Sequence, residues 1–178
     1  MAAPPVVRNI FLIGPRACGK SSLGRFLFGR LHWKFVDCDE FFREATGFEI
    51  AVYIAKNGWG AFRRLESEFL NRLCHEERQI IATGGGVVLV QENRDLIVNS
   101  GWAVYLRGDP RMLSARLVLN PMPAQRPALS GLSLEQEMES VCMEREPLYL
   151  SCANLVLPAD QPLEILADKI CAALALDG

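Results

Sequence analysis

The chain has 178 residues, a net charge of −2, half its residues hydrophobic and 22% charged, a balance that fits one globular domain with a substantial core. It holds no basic run or aromatic-interleaved basic patch, which argues against a nucleic-acid partner, and no apolar stretch nears the roughly 20 residues that span a bilayer. Met1-Ala2-Ala3-Pro4-Pro5 lacks the basic start and apolar segment of a signal peptide, and six cysteines stand without a CxxC pair or a nearby His cluster. Free thiols in a reducing cytoplasm are therefore expected, rather than disulfides or a zinc site.

Along the chain, five short apolar runs alternate with helical patterns: Ile10 to Ile13, Phe35-Val36, Gln79 to Ala82, Ala103 to Leu106 and Leu155 to Leu157. The alternation predicts an α/β fold with a mostly parallel sheet and helices on both faces, in one domain over residues 1–178. Ligands of such folds bind beyond the carboxyl ends of the strands. The first run leads into Gly14-Pro15-Arg16-Ala17-Cys18-Gly19-Lys20-Ser21, a full match to GxxxxGK[ST], and Leu23, Phe26, Leu27 and Leu31 follow at helical spacing. Strand, glycine loop and helix bring successive backbone N–H groups and a helix N-terminus to one point, where they cradle a polyphosphate. Lys20 is expected on the β- and γ-phosphates, Ser21 on Mg²⁺, and Ser22 beside them.

The second run ends in Asp37-Cys38-Asp39. Two residues apart in an extended segment, both carboxylates face one side. One suits the hydration shell of Mg²⁺, and the other suits an attacking hydroxyl. Asp39 also fits as the N-cap of a following helix. Next, Phe62, Leu65, Phe69 and Leu73 trace a buried helical stripe at whose start lie Arg63 and Glu66. Glu66 falls inside that stripe and Arg63 at its edge, so the two are expected to meet. The pair reads either as a structural ion pair or as a carboxylate that orients a bidentate arginine toward an anionic substrate. After the third run, Thr83-Gly84-Gly85-Gly86 removes three side chains in a row, permitting positive φ and close approach of a ligand to the backbone.

From Asn120 to Gly131 the chain reads NPMPAQRPALSG. Its three prolines exclude a continuous helix. It is either a surface connection or a lid, spanning about 119–131, that brings Arg126 over a transferring phosphate. A polar helical pattern from Leu134 then reaches Arg145, where Pro147 predicts a stop. His32 and His75 have no metal-like partners and read as surface or packing residues.

In order and spacing, GPRACGKS, DCD, FRRLE, TGGG, QRPALSG and REPLY resemble the shikimate kinases, small P-loop enzymes of the nucleoside-monophosphate-kinase-like group. The form GPRxCGK and the Trp59-Gly60-Ala61-Phe62-Arg63 context look closest to the type-II-like bacterial members. The resemblance implies ATP-dependent, Mg²⁺-dependent phosphorylation of the 3-hydroxyl of shikimate in aromatic amino-acid biosynthesis, on a five-stranded sheet of order 2-3-1-4-5. It implies an ATP site at Gly14 to Ser22 with Arg116 at the adenine and Arg126 in the lid, and Mg²⁺ on Ser21 and Asp37. It implies that Asp39 activates the acceptor hydroxyl, that Arg63 and Arg145 take its carboxylate, and that Glu66 and Gly84 to Gly86 complete the acceptor site. A cytoplasmic monomer is expected. The alternatives are a sister kinase, for gluconate or a nucleoside monophosphate, and a non-catalytic module that senses nucleotide and shikimate.

Overall fold

The computed structural model describes residues 8–119 and 133–176. The Arg126 lid assignment and nearly all of the lid segment lie outside the described residues. Five parallel strands, β1 (Asn9–Ile13), β2 (Lys34–Asp37), β3 (Gln79–Ala82), β4 (Trp102–Arg107) and β5 (Leu155–Pro158), form one sheet in the order β2-β3-β1-β4-β5. This is the expected order, and each predicted apolar run lies within a strand. The helices are α1 (Lys20–Leu31), α2 (Cys38–Thr46), α3 (Ile50–Cys74), α4 (Gln91–Ser100), α5 (Pro110–Leu119), α6 (Leu134–Cys152) and α7 (Leu163–Leu174).

The central strands are apolar on both faces because helices cover both. Ile10, Leu12, Ile80, Val104 and Leu106 pack with Leu23 and Leu27 of α1 and Leu166 and Ile170 of α7. Alternate residues Phe11, Ile13, Ile81 and Tyr105 pack on the other face with Leu70, Leu73, Ile97 and Tyr149, from α3, α4 and α6. A third cluster of Phe42, Ile50, Ile54 and Phe62 sits beyond the carboxyl edge of β2 and β3. Its rings meet edge-on or tilted, with Phe42 centred 5.2 Å from Tyr53 and 5.3 Å from Phe62.

Helix α3 is interrupted at Gly58, whose φ of 81° and ψ of 164° are open to glycine alone. The FRRLE stretch thus lies in the second, straight half. In that half the most buried positions are Phe62, Glu66, Leu70 and Leu73, while Leu65 and Phe69 flank them half-buried. Glu66 therefore stands at the centre of the stripe, deeper than its sequence neighbours predict.

Helix α6 corrects one expectation. It does not stop at Arg145 but runs through Pro147 to Cys152. Proline removes one N–H, whose acceptor would be the carbonyl of Met143. Met143 is 73% exposed, so it lies on the side of the helix where water can take over that carbonyl. Buried Arg145 and Tyr149 hold the opposite side. Tertiary packing overrides the local stop signal.

Candidate active site

The glycine loop joins β1 to α1. Gly19 caps α1 in the left-handed region, φ 97°, without a side-chain cap, so the first N–H groups of the helix stay open to an anion. Ala17 also has positive φ, 60°, which costs a residue with a Cβ about 1 kcal/mol or more. Lys20 is buried, and its ammonium donates to the carbonyls of Gly14 at 2.9 Å and Pro15 at 2.7 Å and contacts Cys18 Sγ at 3.5 Å. Cys18 is itself in the core, only 1% exposed. Arg116 of α5 braces the far side of the loop, donating to Ala17 O at 3.3 Å and to Ala159 O, just past β5, at 3.1 Å. Ser22 is exposed on the first turn of α1.

At the end of β2 the two aspartates separate. Asp37 stays in the strand, paired in register with Ala82, and it rather than Asp39 is the N-cap of α2. Its Oδ1 accepts from Asp39 N and Glu40 N, while its Oδ2 accepts from Ser21 Oγ at 2.5 Å. Asp39 is not extended but lies in the first turn of α2, so the helical turn sends it to a different place. It lines a narrow crevice with Cys38, Glu66 and Gly84, floored by Phe62 and Leu70. The enclosed space is about 20 Å³, near the volume that admits a single water. The half-buried Cys38 thiol is pushed well up from its usual range, first by burial and then by Asp39, Asp37 and Glu66. It therefore stays a neutral thiol in the crevice wall.

Arg63 and Glu66 meet as expected, Nη1 to Oε2 at 2.5 Å, with their side chains 17% and 8% exposed. The guanidinium is further held by ring faces, 5.4 Å from the centroid of Trp59 and 5.2 Å from that of Phe62. The need for glycine at 84 to 86 is close approach, not positive φ, since none of the three occupies the left-handed region. A Cβ on Gly86 would overlap the Arg63 guanidinium, and one on Gly85 would press on the glycine loop, 3.3 Å from Gly14 O and 3.4 Å from Arg16 N. The Gly85 carbonyl accepts from Arg145 Nη1 at 3.2 Å and from Tyr149 Oη at 2.5 Å. The triple-glycine turn thus adjoins the donor loop on one side and both arginines on the other.

Trp59, Cys38 and Tyr149 are contacts that sequence reasoning assigned no role. The four-residue spacing of Arg145 and Tyr149 places them on one helical face once the helix continues through Pro147. The expected residues otherwise converge, except Arg116, behind the loop, and Arg126, outside the described residues. Among the described residues no three His, Cys, Asp or Glu side chains group as a metal site. Ser21 and Asp37 instead offer two hard oxygens, the donor type that Mg²⁺ takes when phosphates and water complete its shell.

A parallel sheet in this order, with an open glycine loop at the end of its middle strand, defines a P-loop kinase. The shikimate kinase family model matches residues 16–175. A shikimate kinase of Nitratidesulfovibrio vulgaris is 43% identical over 95% of this chain and 97% of its own length. Shikimate kinase 2 of Dickeya chrysanthemi is 42% identical over 86% and 88%. The solved shikimate kinase of Acinetobacter baumannii in complex with shikimate superposes with a TM-score of 0.87 at 30% identity, covering 96% of this chain and 94% of that one. The chain belongs to the shikimate kinase family. A Sinorhizobium meliloti gluconokinase, at 17% identity and a TM-score of 0.57, shares the fold alone.

Proposed function

We propose that this chain transfers the γ-phosphoryl group of ATP to the 3-hydroxyl of shikimate, giving shikimate 3-phosphate and ADP. The observation that carries the reading is the triple-glycine turn, pressed on the glycine loop through Gly85 while Gly86 abuts Arg63 and Gly85 binds Arg145. Two cations from separate helices suit one carboxylate held beside the donor phosphates. With a net charge of −2, the chain must attract two anionic substrates by such local cations.

In the reaction, Lys20 leaves the carbonyls of Gly14 and Pro15 for the β- and γ-phosphates, which the open N–H groups of the loop receive. Arg116, held between Ala17 and Ala159 on the outer side of the loop, would meet the adenine from there, and Arg126 would add a cation over the phosphates. Arg63, oriented by Glu66, and Arg145 hold the acceptor carboxylate. Asp39 accepts the hydrogen bond of the 3-hydroxyl, whose oxygen forms the new bond to γ-phosphorus as the bond to the β–γ bridging oxygen breaks. The released proton passes to Asp39 or to water. Ser21 and Asp37, the latter through water, would hold Mg²⁺, whose charge offsets that of the phosphates. Action as a monomer belongs to this reading, and six free cysteines suit a reducing cytoplasm. No described helix is long and apolar enough to cross a membrane.

The test is release of ADP from Mg-ATP on addition of shikimate. Strong stimulation by shikimate, with none by gluconate or nucleoside monophosphates, is expected. The reverse pattern would assign a sister kinase, and binding of shikimate without turnover would assign a sensor.

A further inference from the structure

Tyr149 has no part in the chemistry just described, yet no side chain in α6 is more deeply buried. Its hydroxyl is 2.5 Å from the Gly85 carbonyl, which also receives Arg145 Nη1 at 3.2 Å. A carbonyl oxygen has two lone pairs, so these two donors fill it. They are four residues apart on α6 and come from one face of it. The Tyr149 ring is stacked on Tyr105 of β4, with centroids 4.9 Å apart and planes 21° from parallel. β4 pairs with β1, the strand that leads into the glycine loop. The phenol is thus fixed to the sheet, with few torsions to vary, whereas Arg145 reaches the same carbonyl on a long flexible stem. Burial also pushes the Tyr149 hydroxyl well above its usual range, so it remains a donor at every working pH.

Resting on the shikimate kinase reading, we propose that Tyr149 is a positioning residue for the acceptor. By holding the Gly85 carbonyl it keeps the triple-glycine turn at the donor loop and restrains Arg145 from closing down on that carbonyl. The remaining N–H groups of Arg145 are then kept for the acceptor carboxylate. Arg145 Nε is buried without a hydrogen-bond partner among the described residues, in keeping with donors left for a ligand.

Tyr149→Phe tests this, because it keeps the ring and the stack and deletes one hydroxyl. The KM for shikimate, and its Kd by calorimetry, should rise about tenfold, the scale of one lost buried hydrogen bond, with the KM for ATP within twofold. In an Arg145→Ala background, most of the effect of Tyr149→Phe on shikimate should vanish, since the group it positions is gone. Equal losses for both substrates, an undiminished effect in that background, or loss of a cooperative thermal transition would assign Tyr149 to folding and overturn the proposal. An unmodified protein that releases no ADP with shikimate would instead overturn the kinase reading itself.

Discussion

The proposed donor and acceptor halves of the site are built in opposite ways. The proposed donor half is eight consecutive residues, Gly14 to Ser21, which leave the first N–H groups of α1 open to an anion and whose lysine is satisfied by the loop's own carbonyls. The proposed acceptor half is gathered from α2, the part of α3 after its bend, the turn after β3, and α6, and its side chains are aimed by other side chains. Trp59, Phe62 and Glu66 aim Arg63, and Tyr149 secures the carbonyl that Arg145 also reaches. A loop of backbone donors tolerates changes in its neighbours. A site of side chains braced by side chains is as good as its weakest brace.

The largest effect is expected where the halves meet at the reacting hydroxyl. Asp39→Asn should lower kcat by about 10²- to 10⁴-fold, the range for a positioned proton acceptor, with the Kd for ATP unchanged. Asp39 lines a crevice to which no glycine-loop residue contributes, so a comparable loss of ATP affinity would show that the halves are not separable. Adjacent glycines give the next contrast. Gly86→Ala should drive Arg63 off its place and raise the KM for shikimate about 10- to 100-fold, the worth of a charge-assisted hydrogen bond, leaving ATP nearly untouched. Gly85→Ala presses on Gly14 and Arg16 instead. It should weaken both substrates about fivefold, the low end of what overpacking costs. Steady-state kinetics with each substrate varied would separate the two variants, and identical profiles would refute the division.

The same contrast decides what could be read from the sequence. The donor loop was legible as a motif because its chemistry lies in consecutive backbone, flanked by a strand and a helix with plain periodicities. Strand order came only from the family resemblance, since apolar runs do not say which strand lies beside which. The acceptor residues were legible as candidates, but their geometry was not. Which aspartate caps α2 depends on β2 continuing through Asp37 in register with Ala82, a tertiary fact that a DxD spelling does not carry. The course of α6 through Pro147 depends on burial of Arg145 and Tyr149, which outweighs a local proline rule. The triple glycine suggests positive φ and a closely approaching ligand, but none of the three is left-handed, and the groups pressed on it are protein, Arg63 and the glycine loop, while Gly84 lines the crevice.

The smallest expected effect probes strain that the donor loop carries within itself. Ala17 holds φ at 60°, where a Cβ costs roughly 1 to 2 kcal/mol. Ala17→Gly removes that cost but gives the unfolded chain more freedom, worth about 0.4 to 1 kcal/mol. The difference leaves a gain of up to about 1.6 kcal/mol, a rise in Tm of at most about 6 °C for a chain of this size. Because Arg116 donates to the Ala17 carbonyl and not to its side chain, the brace survives the change, and the KM for shikimate should not move. A fall in Tm by calorimetry would mean that the loop sits in that conformation at no cost. A shift in the shikimate KM would mean that strain in the donor loop reaches the acceptor through the Gly85 contact, and that the donor half is less self-contained than its contiguous sequence suggests.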